Sequence, residues 1–496
     1  MFFNTLPFIF FFGVIFSLYY LLPSRFRANV LLVFSLIFFI SNSLLFIFVI
    51  LFLVLLDYYT IKLFNKRQSF KKTVLIFSIS VNLIFLTLFK YINFLFTSLN
   101  SIGINFFVNI PQTFYEVFIP LGFSFFVFKS ISLLVDSFRD TLKEKPTLRD
   151  LFLYFLFFPS VLSGPIDRPG ALLKQFGNIN DDFSNNIKTG LSFILLGYIK
   201  KSVIADRLSF FVDLTYGNID NSSWLQILVA VVFYSFQIYL DFSGYSDMAL
   251  GFARMLGIDI MQNFEKPYFS KSIQDFWKKW HVSLSTWLRD YLFLPLAYSS
   301  TRVLYRFRIT PKSIEKFSYV YSILITMFLA GLWHGANSTF VLWGLIMGVY
   351  IVLSFLTRKQ RSRFKKFTGL NRHKSFVSVF QTVFLFIIVS FAWIFFRAQS
   401  ADEAVKIASK LLFPDFGGSN LFLLNTGKVS AEFSVYYPFA LIAFIVLIEK
   451  YNLRERILYV FDNHGVIFRY ALIIIMILFI LFAGNFSANQ FIYFKF

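Results

Sequence analysis

Long apolar blocks, separated by short connections rich in lysine and arginine, run from one end of the chain to the other. Residues 1–22 are apolar almost from the start and end at Pro23 and Ser24, ahead of Arg25 and Arg27. No basic stretch precedes them and no small-residue cleavage site follows, so they predict a first membrane span and not a removable signal. Residues 29–56 exceed the roughly 20 that one untilted helix needs, and Ser41, Asn42 and Ser43 interrupt them, so two shorter membrane helices are expected. Residues 75–96 and 114–135 are the next spans, around an uncharged loop at 100–112. Residues 187–208, 227–250, 323–335, 339–356, 377–396, 438–448 and 470–482 continue the series. Window length predicts roughly 11–13 membrane elements in an all-α polytopic protein.

Two segments break this pattern. Residues 151–176 are apolar but interrupted by Pro159, Gly164, Pro165, Pro169 and Gly170, with Asp167 and Arg168 among them. Non-helical backbone at membrane depth survives only when buried in protein or lining a wet cavity, so a re-entrant or interfacial element is expected. In residues 264–292, Phe269, Ile273, Phe276, Trp277 and Trp280 recur at helical spacing, opposite Lys271, Asp275, Lys278 and Lys279. Such a basic, aromatic-faced helix is expected to lie in the membrane surface, with Ser272 and Asp275 as a capping box. Its simplest role is an interfacial anchor.

Composition sharpens the class. Of 496 residues, 57% are hydrophobic and 75 are Phe, while only 15% are charged, which excludes a water-soluble globule. The net charge of +21 sits between the apolar blocks. That is the pattern of cytoplasmic loops under the positive-inside rule, and it argues against nucleic acid as a partner. On this rule the N-terminus lies outside and Arg25 and Arg27 lie in the cytoplasm. Cysteine is absent, which removes thiolate nucleophiles and thiolate metal sites, and no two histidines stand at i, i+4, so no metal site is expected. The polar stretch 397–432 reads as an external loop with a short helix, and with no repeat or flexible linker residues 1–496 read as one membrane domain.

Ionisable groups within apolar spans are costly and stand out as candidates for chemistry. Tyr234, Gln237 and Asp241 share one helix face, expected to look inward, and Ser243, Tyr245, Ser246 and Asp247 extend its polarity. A structural hydrogen-bond network between helices is the competing explanation. Of four histidines, His373 and His464 fall in polar connections and read as solvated. His281 ends the amphipathic segment. His334 ends an apolar span beside Gly331 and Gly335, whose spacing admits close approach of another helix or a substrate chain. A neutral imidazole can take a hydroxyl proton near neutral pH, as acyl transfer to an alcohol requires, if a partner such as Asn337 or Asp241 orients it. A structural hydrogen-bonding histidine fits the same spacing.

Five motifs in order carry a resemblance: residues 157–166 (FFPSVLSGPI), 239–249 (YLDFSGYSDMA), 276–292 (FWKKWHVSLSTWLRDYL), 331–337 (GLWHGAN) and 393–398 (WIFFRA). Together they resemble the membrane-bound O-acyltransferase family, in its bacterial polysaccharide branch. Coverage extends from the first span to about residue 412, with a motif-bearing core at about 114–412. Residues 163–170 depart in detail from what alginate acetylation leads one to expect, which bears on the acceptor and leaves the reaction class intact. The resemblance implies a bundle around a central funnel or tunnel in the bacterial cytoplasmic membrane. It implies that His334 is the catalytic histidine and His281 a second active-site histidine on the cytoplasmic side, with Asp241, Asn337, Trp333, Tyr245 and Trp280 in supporting or tunnel-lining places. It further implies a donor such as acetyl-CoA or another acyl thioester, no bound cofactor, and an external SGNH-type hydrolase-like partner that receives the acyl group or helps pass it to a polysaccharide hydroxyl. A polysaccharide flippase or exporter would share the spans, basic loops and polar face, yet needs no particular histidine. A scaffold docking an envelope complex would tolerate loss of both His281 and His334.

Overall fold

The computed structural model describes residues 1–66, 68–92, 122–142, 145–179, 182–307, 309–414, 436–486 and 491–492, and all regular structure among them is helical. Eight helices among the described residues are long and apolar enough to cross a membrane: Ser24–Asn42, Ile47–Phe64, Lys71–Tyr91, Trp224–Met255, Pro311–His334, Ser338–Leu356, Lys374–Arg397 and Val466–Ala483. The chain is an all-α polytopic membrane protein. The larger number expected from the sequence also counted helices of 15 or 16 residues, such as Phe123–Phe138, Phe183–Tyr198 and Tyr436–Lys450. An apolar run looks the same in a sequence whether lipid or protein covers it. The break expected at residues 41–43 is present, since one helix ends at Ser43 and the next begins at Ile47 after a single tight turn. The uncharged loop at 100–112, and residues 415–435 of the polar connection that follows helix Ala401–Leu412, lie outside the described residues.

The 32-residue helix Trp224–Met255 is the axis of the bundle: 67% of its apolar window is buried, against 11% for Val466–Ala483. A Ser223–Gln226 capping box starts it. Helix Phe183–Tyr198 packs along it at Gly197 and Gly244, where a Cβ on either residue would stand 2.7 Å from the other's carbonyl oxygen. Backbone contact at this distance replaces the hydrophobic drive that lipid does not supply.

Residues 151–176 are indeed interrupted. Helix Leu148–Leu156, the single turn Phe158–Val161 and helix Pro169–Gly177 enclose a non-helical stretch whose Ile166 and Asp167 are buried in protein. The Asp167 carboxylate accepts from Met261 N–H at 2.8 Å, and Tyr154 donates its hydroxyl to the Asp167 carbonyl at 3.0 Å. Burial raises the Asp167 carboxyl to about 6.

Residues 264–292 depart from the single surface helix expected. They form a tight turn at Pro267–Phe269 and two short helices, Ile273–Trp277 and Val282–Leu288. Ser272 does cap the first, accepting from Asp275 N–H, but the Asp275 carboxylate turns to Lys271 N–H in place of closing the box. Ile273, Phe276 and Trp280 are buried in the protein core. The aromatic face therefore binds other helices and not the bilayer, because Trp393 and Tyr239 present rings to it.

Candidate active site

His334 is the last residue of helix Pro311–His334, after which Gly335 leaves helical geometry. The last carbonyls of any helix lack partners inside it. Here Tyr91 donates its hydroxyl to Leu332 O at 2.8 Å, and Lys90 Nζ reaches Trp333 O at 2.5 Å and His334 O at 3.4 Å. A cation at the negative end of the helix holds the turn that carries the imidazole. Gly331 brings the following helix close, since a Cβ there would meet Phe340 O at 2.3 Å. The glycine spacing thus serves approach of a helix, Ser338–Leu356.

His281 is positioned quite differently. It has φ +43° and ψ +56°, the left-handed region that non-glycine residues seldom occupy, and it stands just before helix Val282–Leu288. Asn263 fixes the turn: its carbonyl accepts from Val282 N–H at 2.9 Å and its side-chain oxygen accepts from Ser283 Oγ at 2.6 Å. Asn263 in turn donates to Ser246 Oγ, and Ser283 Oγ accepts from Ile166 N–H at 3.0 Å. The interrupted segment and the axial helix therefore both lock this one backbone conformation. Burial pushes the His281 imidazole down to about 3, so it is neutral at physiological pH.

Aromatic rings join the two histidines. Trp333 lies 4.8 Å from the His334 ring and 6.4 Å from the His281 ring, centroid to centroid. Trp343 and Phe396 each meet His334 edge-on at 5.0 Å, and Phe242 meets His281 edge-on at 4.5 Å. A cavity of about 280 Å³ has His334, Trp277 and Trp343 in its wall, together with the exposed cations Lys278 and Arg289. The indole nitrogens of Trp277, Trp333, Trp343 and Trp393 are buried with no hydrogen-bond partner among the described residues. Buried donors normally find partners, and the two of these that line the cavity, Trp277 and Trp343, suit a polar atom of a substrate.

The remaining residues singled out in the sequence divide. Trp280 stacks on Phe276 and packs against Trp393, within the aromatic wall. Tyr245 is sandwiched between Phe3 and Phe491 at 4.6 and 4.7 Å. Asp241 pairs with Lys201 at 2.5 Å and accepts from Ile492 N–H at 2.8 Å. Asn337 caps helix Ser338–Leu356 through Thr339 N–H and donates to Gln399 O at 2.8 Å. The suggestion that Asp241 or Asn337 orients His334 is thus corrected, since their polar atoms serve helix pairing and capping. His373 and His464 are exposed, as expected. Lys90, Trp343 and Asn263 were not legible as site residues. Lys90 had a signal in hindsight, as a lone lysine inside an otherwise apolar run.

The fold is an all-α polytopic bundle that places a histidine in the wall of a partly open cavity lined in part by aromatic rings. The match of residues 108–398 to the membrane-bound O-acyltransferase family model makes this chain a member of that family and an acyltransferase. Over 460 residues it is 32% identical to the probable alginate O-acetylase of Azotobacter vinelandii, covering 91% of this chain and 85% of that protein. It is also 29% identical over 395 residues to the peptidoglycan O-acetyltransferase of Helicobacter pylori, covering 74% and 69%. A shorter match, 31% over 248 residues, links it to the teichoic acid D-alanyltransferase of Bacillus subtilis, covering 49% and 61%.

Proposed function

We propose that this protein, in the bacterial cytoplasmic membrane, passes an acetyl group from a cytoplasmic thioester, acetyl-CoA or a related acyl carrier, to a hydroxyl of a cell-envelope or extracellular polysaccharide. The observation that carries this reading is the placement of His334 in the wall of a cavity whose lining also carries Lys278 and Arg289, with the His281 ring also beside Trp333. The two cations suit the phosphates of an anionic donor. The acceptor oxygen attacks the thioester carbonyl carbon while its proton passes to the His334 imidazole. The C–S bond then breaks and the departing sulfur takes that proton, which returns the histidine to its starting state. His281, held neutral, orients the donor. The indole N–H of Trp343 is available to the carbonyl oxygen as charge develops on it, the kind of donor that stabilises such a transition state.

The relatives are named for three different polymers, alginate, peptidoglycan and teichoic acid, so the acceptor is the finer part of the proposal. An external SGNH-type partner with its own serine is the expected carrier where the sugar itself does not reach the cavity. The test is transfer of labelled acetyl from acetyl-CoA in membranes carrying His334→Ala. Loss of transfer with an unchanged level of folded protein is expected. Wild-type transfer by the variant would sink the assignment, and movement of lipid-linked sugar without any thioester dependence would favour an exporter.

A further inference from the structure

A second cavity, unconnected with the chemistry of acyl transfer, lies where helix Ser338–Leu356 ends. It is a groove of about 620 Å³ bounded by that end, by helix Arg358–Phe367 and by the start of helix Lys374–Arg397. Its lining combines two chemistries. Phe364, Phe376, Phe380 and Phe384 supply apolar walls, and each is between 49 and 66% exposed. Lys271, Arg361 and Lys365 supply cations, with no aspartate or glutamate in the lining among the described residues. Between Arg358 and Lys374 the chain carries eight lysines and arginines and no acidic residue.

We propose that this groove is a binding site for one anionic phospholipid, its phosphate held by Arg361 and Lys365 and an acyl chain laid along Phe376, Phe380 and Phe384. Those three phenylalanines recur every four residues, so they form one stripe along a membrane-spanning helix. The stripe begins beside the cationic cluster, which is the order of headgroup and tail in a lipid that stands at a membrane surface. Arg361 is already fixed there, since its guanidinium donates to both the carbonyl and the hydroxyl of Ser354. A cation preset in this way loses little freedom on binding phosphate. A soluble phosphate would satisfy the cations and leave the exposed rings uncovered. A neutral lipid would cover the rings and leave three like charges uncompensated. Only a ligand with both parts matches the whole lining. Ser354 also meets Gln274 at 3.4 Å, and Gln274 lines the His334 cavity, so the headgroup sits next to that cavity.

The full-length protein, purified in mild detergent, is placed in nanodiscs of phosphatidylcholine with a minority of phosphatidylglycerol, and retained lipids are counted by native mass spectrometry after delipidation. The wild type is expected to keep phosphatidylglycerol over phosphatidylcholine. Arg361→Gln and Lys365→Gln should each lower that preference about fivefold, the worth of one basic residue at an anionic surface. Lys359→Gln with Lys366→Gln, cations outside the groove lining, should leave it unchanged. Phe380→Ala should shorten retention of either lipid without changing the preference. Equal retention of the two lipids by the wild type overturns the proposal. So does an equal loss in the Lys359/Lys366 control, which would mean general surface charge, or displacement of the lipid by millimolar inorganic phosphate, which would mean a soluble ligand.

Discussion

Two buried polar clusters flank the same stretch of the axial helix and behave in opposite ways. Asp241 faces Lys201, which also pairs with Asp206 at 2.7 Å, and the backbone N–H of Ile492 closes the group. The very next residue, Phe242, faces His281 and the aromatic cage that leads to His334. The first cluster is knit from opposite charges and one backbone N–H group, and it ties the axial helix to its neighbour and to the segment around Ile492. The second holds a neutral imidazole, several indole N–H groups not used within the described residues, and a cavity. Buried charges paired with one another hold helices together, whereas polar groups in the wall of a cavity, such as the Trp343 indole N–H, are available for chemistry. Asp241 looked like site material in the sequence and falls on the architectural side.

The sharpest way to break this contrast is to cut each side in turn. His334→Ala should lower acyl transfer by at least about 100-fold, the usual worth of a general base, with an unchanged thermal midpoint. Asp241→Ala should do the reverse. It takes one of two carboxylates from Lys201 and the acceptor from Ile492 N–H, at a cost of about 1 to 3 kcal/mol, so folded protein in the membrane should fall while transfer per folded molecule persists. If Asp241→Ala folds normally and loses catalysis, the contrast fails. Gly331→Leu drives its side chain into Phe340 O, and separating the two helices beneath His334 should cost about 1 to 3 kcal/mol and most of the activity, read from melting and transfer rate together.

A finer probe is Lys90→Met, which keeps the length of the side chain but removes the cation from the carbonyls of Trp333 and His334. A loss of about tenfold in kcat with little change in KM is expected, because a turn that loosens misplaces a base without touching donor binding. The smallest effect concerns pH. The His281 pKa is lowered on folding, so the stability tied to its neutral form is fully present above the ordinary value of 6.5 and is lost as pH falls from there towards about 3. The loss should be on the order of 1 kcal/mol per pH unit, seen as a falling thermal midpoint below pH 6.5. His281→Gln should flatten that fall.

Much of the membrane architecture was legible along the chain because lipid imposes a length and a polarity on every span that faces it. The break at Ser41 to Ser43, the interrupted stretch around Gly164 and the end of a span at His334 all follow from local composition. The sequence also exposed both histidines, since few polar residues stand in so apolar a chain and their motifs are distinctive. The amphipathic pattern at 264–292 does mark one apolar and one charged face, yet protein covers the apolar face where the pattern predicts the membrane surface. Periodicity reports that a face is apolar and says nothing of whether lipid or protein lies against it.

What only the tertiary structure decided is partnership. Phe242 and Asp241 are neighbours in sequence, but a helix turns about 100° per residue and sends them to different clusters. Lys90 reaches His334 across 244 positions, and Asp241 meets Ile492 across 251. His281 takes a left-handed backbone because Asn263, Ser246 and Ile166, from three separate stretches, hold it there. The sequence by itself determined that this is a helical membrane protein with two unusual histidines. Which polar groups neutralise one another and which stay open to a substrate is a matter of long-range contact, and periodicity along one chain carries no term for it.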